Sequence, residues 1–256
     1  MQRLKKVLKW TGIVLGGLVL LLAVILFVAH DPRPDGEPGP EAEELAVRME
    51  AAVDVEAWAR TGAVRWGFGG RQEHLWDRER GVARVRWDDV EALFHVGSSS
   101  GRVWRAGREV HGEEARELLA QANAHWVNDS FWLNPVAKFR DEGVRRELVT
   151  LEDGTDALLV RYTSGGLTPG DAYLWIPGEG GLPREWRMWV SIIPVGGVAT
   201  TWEGWQTLST GAKIATRHEG PLGITLELDD VAGAATLAEL TGGEDPFAPL
   251  FDDEGD

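Results

Sequence analysis

Cysteine is absent from all 256 residues, which excludes disulfides, thiolate chemistry and a lipidated N-terminal cysteine. Basic charge is scarce after residue 9. Beyond it stand 22 Lys and Arg against 41 Asp and Glu, a net charge of −19. A surface of that sign is repelled by nucleic acid and by anionic lipid, so nucleic acid is excluded as a partner. The six histidines, His30, His74, His95, His111, His125 and His218, never fall at metal-ligand spacing, and HEG at 218–220 lacks the second His of the zinc-helix motif. No cofactor is expected. Tyrosine occurs only twice, against 13 tryptophans.

One further absence organises the N-terminus. From Trp10 to Ala29 there is no charged residue, and Thr11 is the only clearly polar side chain. Twenty helical residues span about 30 Å, the thickness of a bilayer's hydrocarbon core. Arg3, Lys5, Lys6 and Lys9 precede the run, and Asp31, Arg33, Asp35 and Glu37 follow it. This asymmetry predicts a single transmembrane helix with its N-terminus in the cytoplasm of a bacterial inner membrane and the rest of the chain periplasmic. A cleaved signal peptide is the rival reading. Its apolar region is usually shorter, and cleavage after Ala29 would put Phe27 where a small residue is wanted. The expected organisation is a basic segment at 1–9, the transmembrane helix at 10–29, a Pro/Gly-rich linker at 30–40, a β domain at 41–240 and a disordered acidic tail at 241–256. Within that tail, Phe247, Leu250 and Phe251 have the character to dock.

Within the domain the periodicity changes twice. Residues 39–58 carry Leu45, Met49, Ala52 and Val53 on one helical stripe, with Pro40 suited to the first turn and Asp54 to capping a second short turn. Apolar and polar residues then alternate through AVRWGFGG, HLWDRERGVARVRW and VEALFHV, with a turn at Gly81. A helix follows over 112–126, and Asp129 or Ser130 is expected to cap another before Pro135. Alternation resumes in VRRELVTL, DALLVRYT, DAYLWIP, REWRMWVSII, ATTWEGWQTL, AKIATRHE and ITLELDDV. Short connections such as EDGT and GEGGLP predict hairpins.

The element order resembles the LolA/LppX-like fold of periplasmic lipoprotein and lipid carriers. In detail the chain resembles an uncharacterised bacterial family near that fold. The matching stretches are Trp58 to Trp66, FWLNPVAKFRDEGV at 131–144, GLTPGDAYLWI at 166–176 and the following LPREWRMWV. The resemblance implies a mainly β domain with accessory helices (α+β). A curved antiparallel sheet or incomplete barrel would carry an N-terminal helix and central lid helices, with a hydrophobic cavity between them that can hold acyl chains. It implies no catalytic residues. An anchored domain departs from the soluble carriers, because it cannot shuttle between membranes.

GSSSG at 97–101 matches the G-x-S-x-G elbow, but it lies between two strands and reads as a hairpin loop. Asp77, Arg78, Glu79 and Arg80 read as a salt-bridged turn, and Asp171 as a strand-start residue. The aromatic residues are the candidate ligand-binding set: Trp66, Phe68, Trp76, Trp87, Phe94, Trp126, Phe131, Trp132, Trp175 and Trp189. They fill an ordinary core, line an apolar cavity for a lipid or lipoprotein acyl chain, or form an exposed row that stacks on cell-wall polysaccharide. No acid–base pair, nucleophile or metal set marks an enzyme.

Overall fold

The structure is a computed structural model and describes residues 30–98, 100–164 and 169–252. The apolar run at 10–29 lies outside these residues. Among the described residues no helix is long and apolar enough to cross a membrane.

Helix α1 (Pro40–Val53) starts with Pro40 in its first turn and stops at Asp54, whose φ of 55° breaks the helical path. The Asp54 carboxylate then accepts a 2.9 Å hydrogen bond from the Ala57 amide and starts α2 (Val55–Arg60). Six strands follow as an antiparallel meander: β1 (Ala63–Phe68), β2 (Gln72–Asp77), β3 (Val82–Trp87), β4 (Val90–His95), β5 (Gly101–Arg105) and β6 (Arg108–Val110). Helix α3 (Gly112–Phe131) is longer than the pattern predicts. The expected cap at Asp129 or Ser130 is instead interior to α3, and Asn134 caps the short 3-10 turn Pro135–Lys138 by accepting from the Ala137 amide.

The chain continues through β7 (Val144–Thr150), β8 (Asp156–Tyr162), β9 (Ala172–Pro177), β10 (Pro183–Trp189) and β11 (Val198–Thr201). A small hairpin, β12 (Gln206–Thr207) and β13 (Lys213–Ile214), leads to β14 (Arg217–Glu219), β15 (Thr225–Ala234) and the short helix α4 (Leu237–Thr241).

The strands form an eight-stranded sheet, β14-β15-β1-β2-β3-β4-β5-β6, and a five-stranded sheet, β11-β10-β9-β8-β7. A bridge between Glu203 and Arg217 brings the two together where β11 meets β14. The fold is thus mainly β with a few helices, built of open curved sheets and not a closed barrel. Helices α1 and α3 cover one face. Leu45, Met49 and Val53 of α1 pack on Leu158, Val160, Trp175 and Trp186 of the smaller sheet, while Leu118, Leu119 and Ala122 of α3 pack on Val85, Trp87, Phe94 and Val103 of the larger. Alternation along each strand gives both sheets a second apolar face.

The first and last described segments cover those outer faces. Asp31 is hydrogen-bonded at Gly196, next to β11, and Glu37 pairs with Leu148 on the free edge of β7. Residues 31–37 therefore cross the smaller sheet from one side to the other, on the side of Val149, Leu159, Leu174 and Ile176. The stretch expected to be a linker is a strap, and α1 begins only after it rounds β7. On the larger sheet, the segment expected to be a disordered tail packs as far as Asp252. Phe247 is fully buried against Leu75, Val82 and Leu93, and Asp245 holds Arg80 through two 2.8 Å hydrogen bonds.

Candidate functional site

The concave face, where the helices meet the sheets, gathers most of the aromatic residues. Trp175 of β9 and Trp186 of β10 are cross-strand partners, and Trp202 lies 4.9 Å from Trp186 between ring centroids. Phe131 and Trp132, at the end of α3, close over them. Trp132 meets Trp186 at 4.8 Å and Trp202 at 6.1 Å, and Phe131 meets Tyr173 at 5.3 Å. A second group joins Trp66, Phe68, Trp76 and Trp126, with Trp132 shared between the two. Trp87 and Phe94 lie beneath α3 in a third, which Trp76 and Trp126 also touch. Trp189 stands apart. It points to the outer face of β10 and donates a 2.7 Å hydrogen bond to the Asp31 carbonyl in the strap. Nine of the ten candidate residues thus share one continuous aromatic layer between the helices and the sheets.

Trp186, Trp202, Tyr173 and His218 belong to the centre of that layer although the sequence reading left them out. Period-two alternation carries the signal for Trp186. It lies three residues from Trp189, so the two must face opposite ways.

The layer has an unusual polar character. The indole N–H groups of Trp66, Trp76, Trp126, Trp175, Trp186 and Trp202 are buried without a hydrogen-bond acceptor among the described residues, and the Tyr162 hydroxyl and His218 Nε2 are buried there without a hydrogen-bond partner. Buried indole donors ordinarily find a partner. Several rings here meet edge to face. Burial pushes the Tyr162 and Tyr173 hydroxyls well above the usual phenol range. It also pulls His218 down to about 4, against hydrogen bonding to the Thr201 and Ala215 carbonyls.

One polar pair lies within the layer. His74 of β2 donates from Nε2 to Asp129 of α3 at 2.7 Å, stacks on Trp66 at 4.4 Å, and is sealed from solvent. Burial lowers the His74 pKa more than the hydrogen bond and charge of Asp129 raise it. Asn128 satisfies the other Asp129 oxygen at 2.9 Å. Helix α3 has 20 residues, yet only Leu118, Leu119, Ala122 and Asp129 are buried. Ala115, Trp126 and Phe131 add half-buried contacts to the sheets.

The remaining sequence features resolve simply. β4 and β5 flank GSSSG as paired neighbours, so the motif joins two strands. Arg80 pairs with Asp77 and Asp245, while Arg78 lies over Trp58 at 4.4 Å and donates to the Trp58 and Thr61 carbonyls. Asp171 is buried and accepts from the Ser191 amide at 3.0 Å. Among the described residues no three His, Asp or Glu gather as a metal site. A groove of about 520 Å³ runs along α1, lined by Glu43, Glu44, Val47, Arg48 and Arg140, away from the aromatic layer. Burial there works to raise the Glu43 pKa, but hydrogen bonds from Arg140 and Arg146 outweigh it and hold the carboxyl below the usual range.

No family model matches the chain, and no curated protein matches it. Several solved structures are similar in fold, among them the following two. One is a DUF1329 family protein from Desulfovibrio piger, 11% identical, with a TM-score of 0.39, over 77% of this chain and 93% of that one. The other is a domain named for outer membrane lipoprotein sorting, from Vibrio parahaemolyticus, 11% identical, with a TM-score of 0.37, over 72% of this chain and 93% of that one. At these scores and identities the likeness is distant. It concerns the course of the backbone and says nothing of the site.

Proposed function

We propose that the chain is a membrane-tethered, non-catalytic periplasmic domain that takes up a lipid, a lipoprotein acyl chain or another apolar ligand beneath α3. The observation that carries this reading is the aromatic layer of the concave face, with its unpartnered indole donors, lying under a helix that buries only four side chains. In the closed form the rings pack against one another. Lifting α3 would open an apolar surface onto which acyl chains bury at about 25 cal/mol per Å² before losses, while the indole donors would meet ester or phosphate oxygens of a headgroup. The tether is the apolar run at 10–29 with its basic N-terminal flank.

The polysaccharide reading needs a row of exposed tryptophans, and no described Trp is exposed. Catalysis would need accessible chemistry, whereas the His74–Asp129 pair is sealed.

Native mass spectrometry of the full chain extracted from membranes tests the proposal. A lipid or acylated species retained one-to-one supports it. A chain that carries no such species, takes up none from added lipid and shows unchanged α3 protection would overturn it.

A further inference from the structure

The outside of the domain carries few large exposed apolar side chains, and three of them share one end. Leu222 is 99% exposed, Ile192 74% and Ile224 67%. Ile192 lies in the connection from β10 to β11, and Leu222 and Ile224 in the turn from β14 to β15. These two connections are neighbours. Glu203 bridges Arg217 in antiparallel sense, and the Glu219 amide donates to Thr201 Oγ1 at 2.9 Å. Continuing that register toward the start of β11 places Val198 beside Leu222.

Three features set this end apart from the rest of an acidic domain. Residues 190–202, VSIIPVGGVATTW, and residues 220–226, GPLGITL, contain no charge. The backbone of Leu222 sits at φ 60° between Pro221 and Gly223, a left-handed conformation uncommon for a leucine, so the turn holds an apolar side chain out in solvent at a conformational cost. Finally, this is where the apolar run leaves off. His30, the residue after it, accepts from the Gly196 amide through Nδ1 at 2.9 Å, and the Asp31 amide donates to the Gly196 carbonyl at 3.0 Å.

We infer that the β10–β11 and β14–β15 connections form a membrane-contact surface, with Ile192, Leu222 and Ile224 entering the outer leaflet of the bilayer that residues 10–29 span. The inference rests on the tether proposed above and deepens it. A flexible tether would leave the domain free to tumble, whereas a second apolar contact beside the anchor fixes which end faces the lipid. The uncharged tips allow an acidic domain to meet the membrane at this end. Arg217, Glu219 and Glu227, on the strands behind the tip, set the depth at which insertion stops, because charged groups stay in the headgroup layer.

The absence of cysteine makes the test direct. Single variants Ile192→Cys, Leu222→Cys, Val47→Cys and Leu20→Cys of the full chain are spin-labelled and reconstituted into phosphatidylcholine vesicles. Collision rates with oxygen and with a water-soluble nickel chelate then report depth. The expected result is an oxygen-to-nickel ratio several-fold higher at 20, 192 and 222 than at 47, which lies on α1. A label buried at 20 but aqueous at 192 and 222 overturns the contact surface and leaves the tether standing. A label aqueous at 20 removes the tether and the inference with it. Labels at 192 and 222 shielded from both reagents mean that protein, not lipid, covers the tips, and this also overturns the inference.

Discussion

His74 Nε2 and Asp129 Oδ2 stand 2.7 Å apart, and the pair ties β2 to the last turns of α3. Replacement Asp129→Leu leaves a buried imidazole donor without its acceptor, at a cost of about 1–3 kcal/mol. Asp129→Asn keeps an acceptor and costs less. Because most side chains of α3 are only half-buried or exposed, the loss should appear locally. Hydrogen exchange is expected to speed up in α3 amides of Asp129→Leu while β1 to β4 stay protected. Unchanged exchange in α3 would show that the pair does not hold the helix.

The buried histidines make the domain acid-sensitive. His218 titrates near 6.5 when unfolded and at about 4 when folded, so between those values the unfolded chain binds the extra proton. Stability is full above pH 6.5 and falls with pH through that window by roughly 3 kcal/mol from His218 alone, at about 1.4 kcal/mol per pH unit. His74 acts in the same direction. Calorimetry between neutral pH and pH 4 should show a falling Tm, with a smaller fall in His218→Gln. Equal falls in the two proteins would contradict the assignment.

Trp189 and Gly196 fasten the strap. Trp189→Phe removes one indole hydrogen bond to Asp31 and should cost about 1 kcal/mol. Gly196→Val is harsher. A Cβ there would lie 2.3 Å from Trp189 Cδ1 and 3.0 Å from the Asp31 carbonyl oxygen. The expected outcome is faster proteolysis before Asp35 in Gly196→Val, with wild-type resistance serving as the reference.

At the other terminus, two contacts with the same segment should differ in weight. Phe247 is fully buried, and Phe247→Ala should cost about 3–5 kcal/mol. Arg80 and Asp245 are partly exposed, so Asp245→Ala should cost no more than about 1 kcal/mol. Urea denaturation of both variants measures the difference. Comparable losses would mean that charge and not burial holds the segment.

Much of this architecture was legible from periodicity. Alternation located most of the strands, the Asp54 cap emerged where a helical stripe broke, and Gly81 marked its turn. What periodicity does not encode is pairing across long separations. Asp129 looks like a helix cap because capping is a local use of a carboxylate, while its actual partner lies 55 residues away. The strap looks like a linker because it is fastened largely through backbone groups, which leave no apolar pattern. Asp31 and Glu37 are exposed even though their main chains are engaged. The aromatic set was found by residue type, which cannot separate the two faces of β10. Trp189 was therefore grouped with the concave face, and Trp186 was missed.

The strap also has a mechanical consequence. A pull on residue 30 does not run straight into α1. It first loads the hydrogen bonds of His30 and Asp31 to Gly196, then the pairing of Glu37 with Leu148, before reaching Pro40. These are two clamps in series, one in the connection leading into β11 and one on β7, at opposite edges of one sheet. Jostling of an anchor would be absorbed by the rigid sheet, and the helix packed over the aromatic layer would be shielded from it.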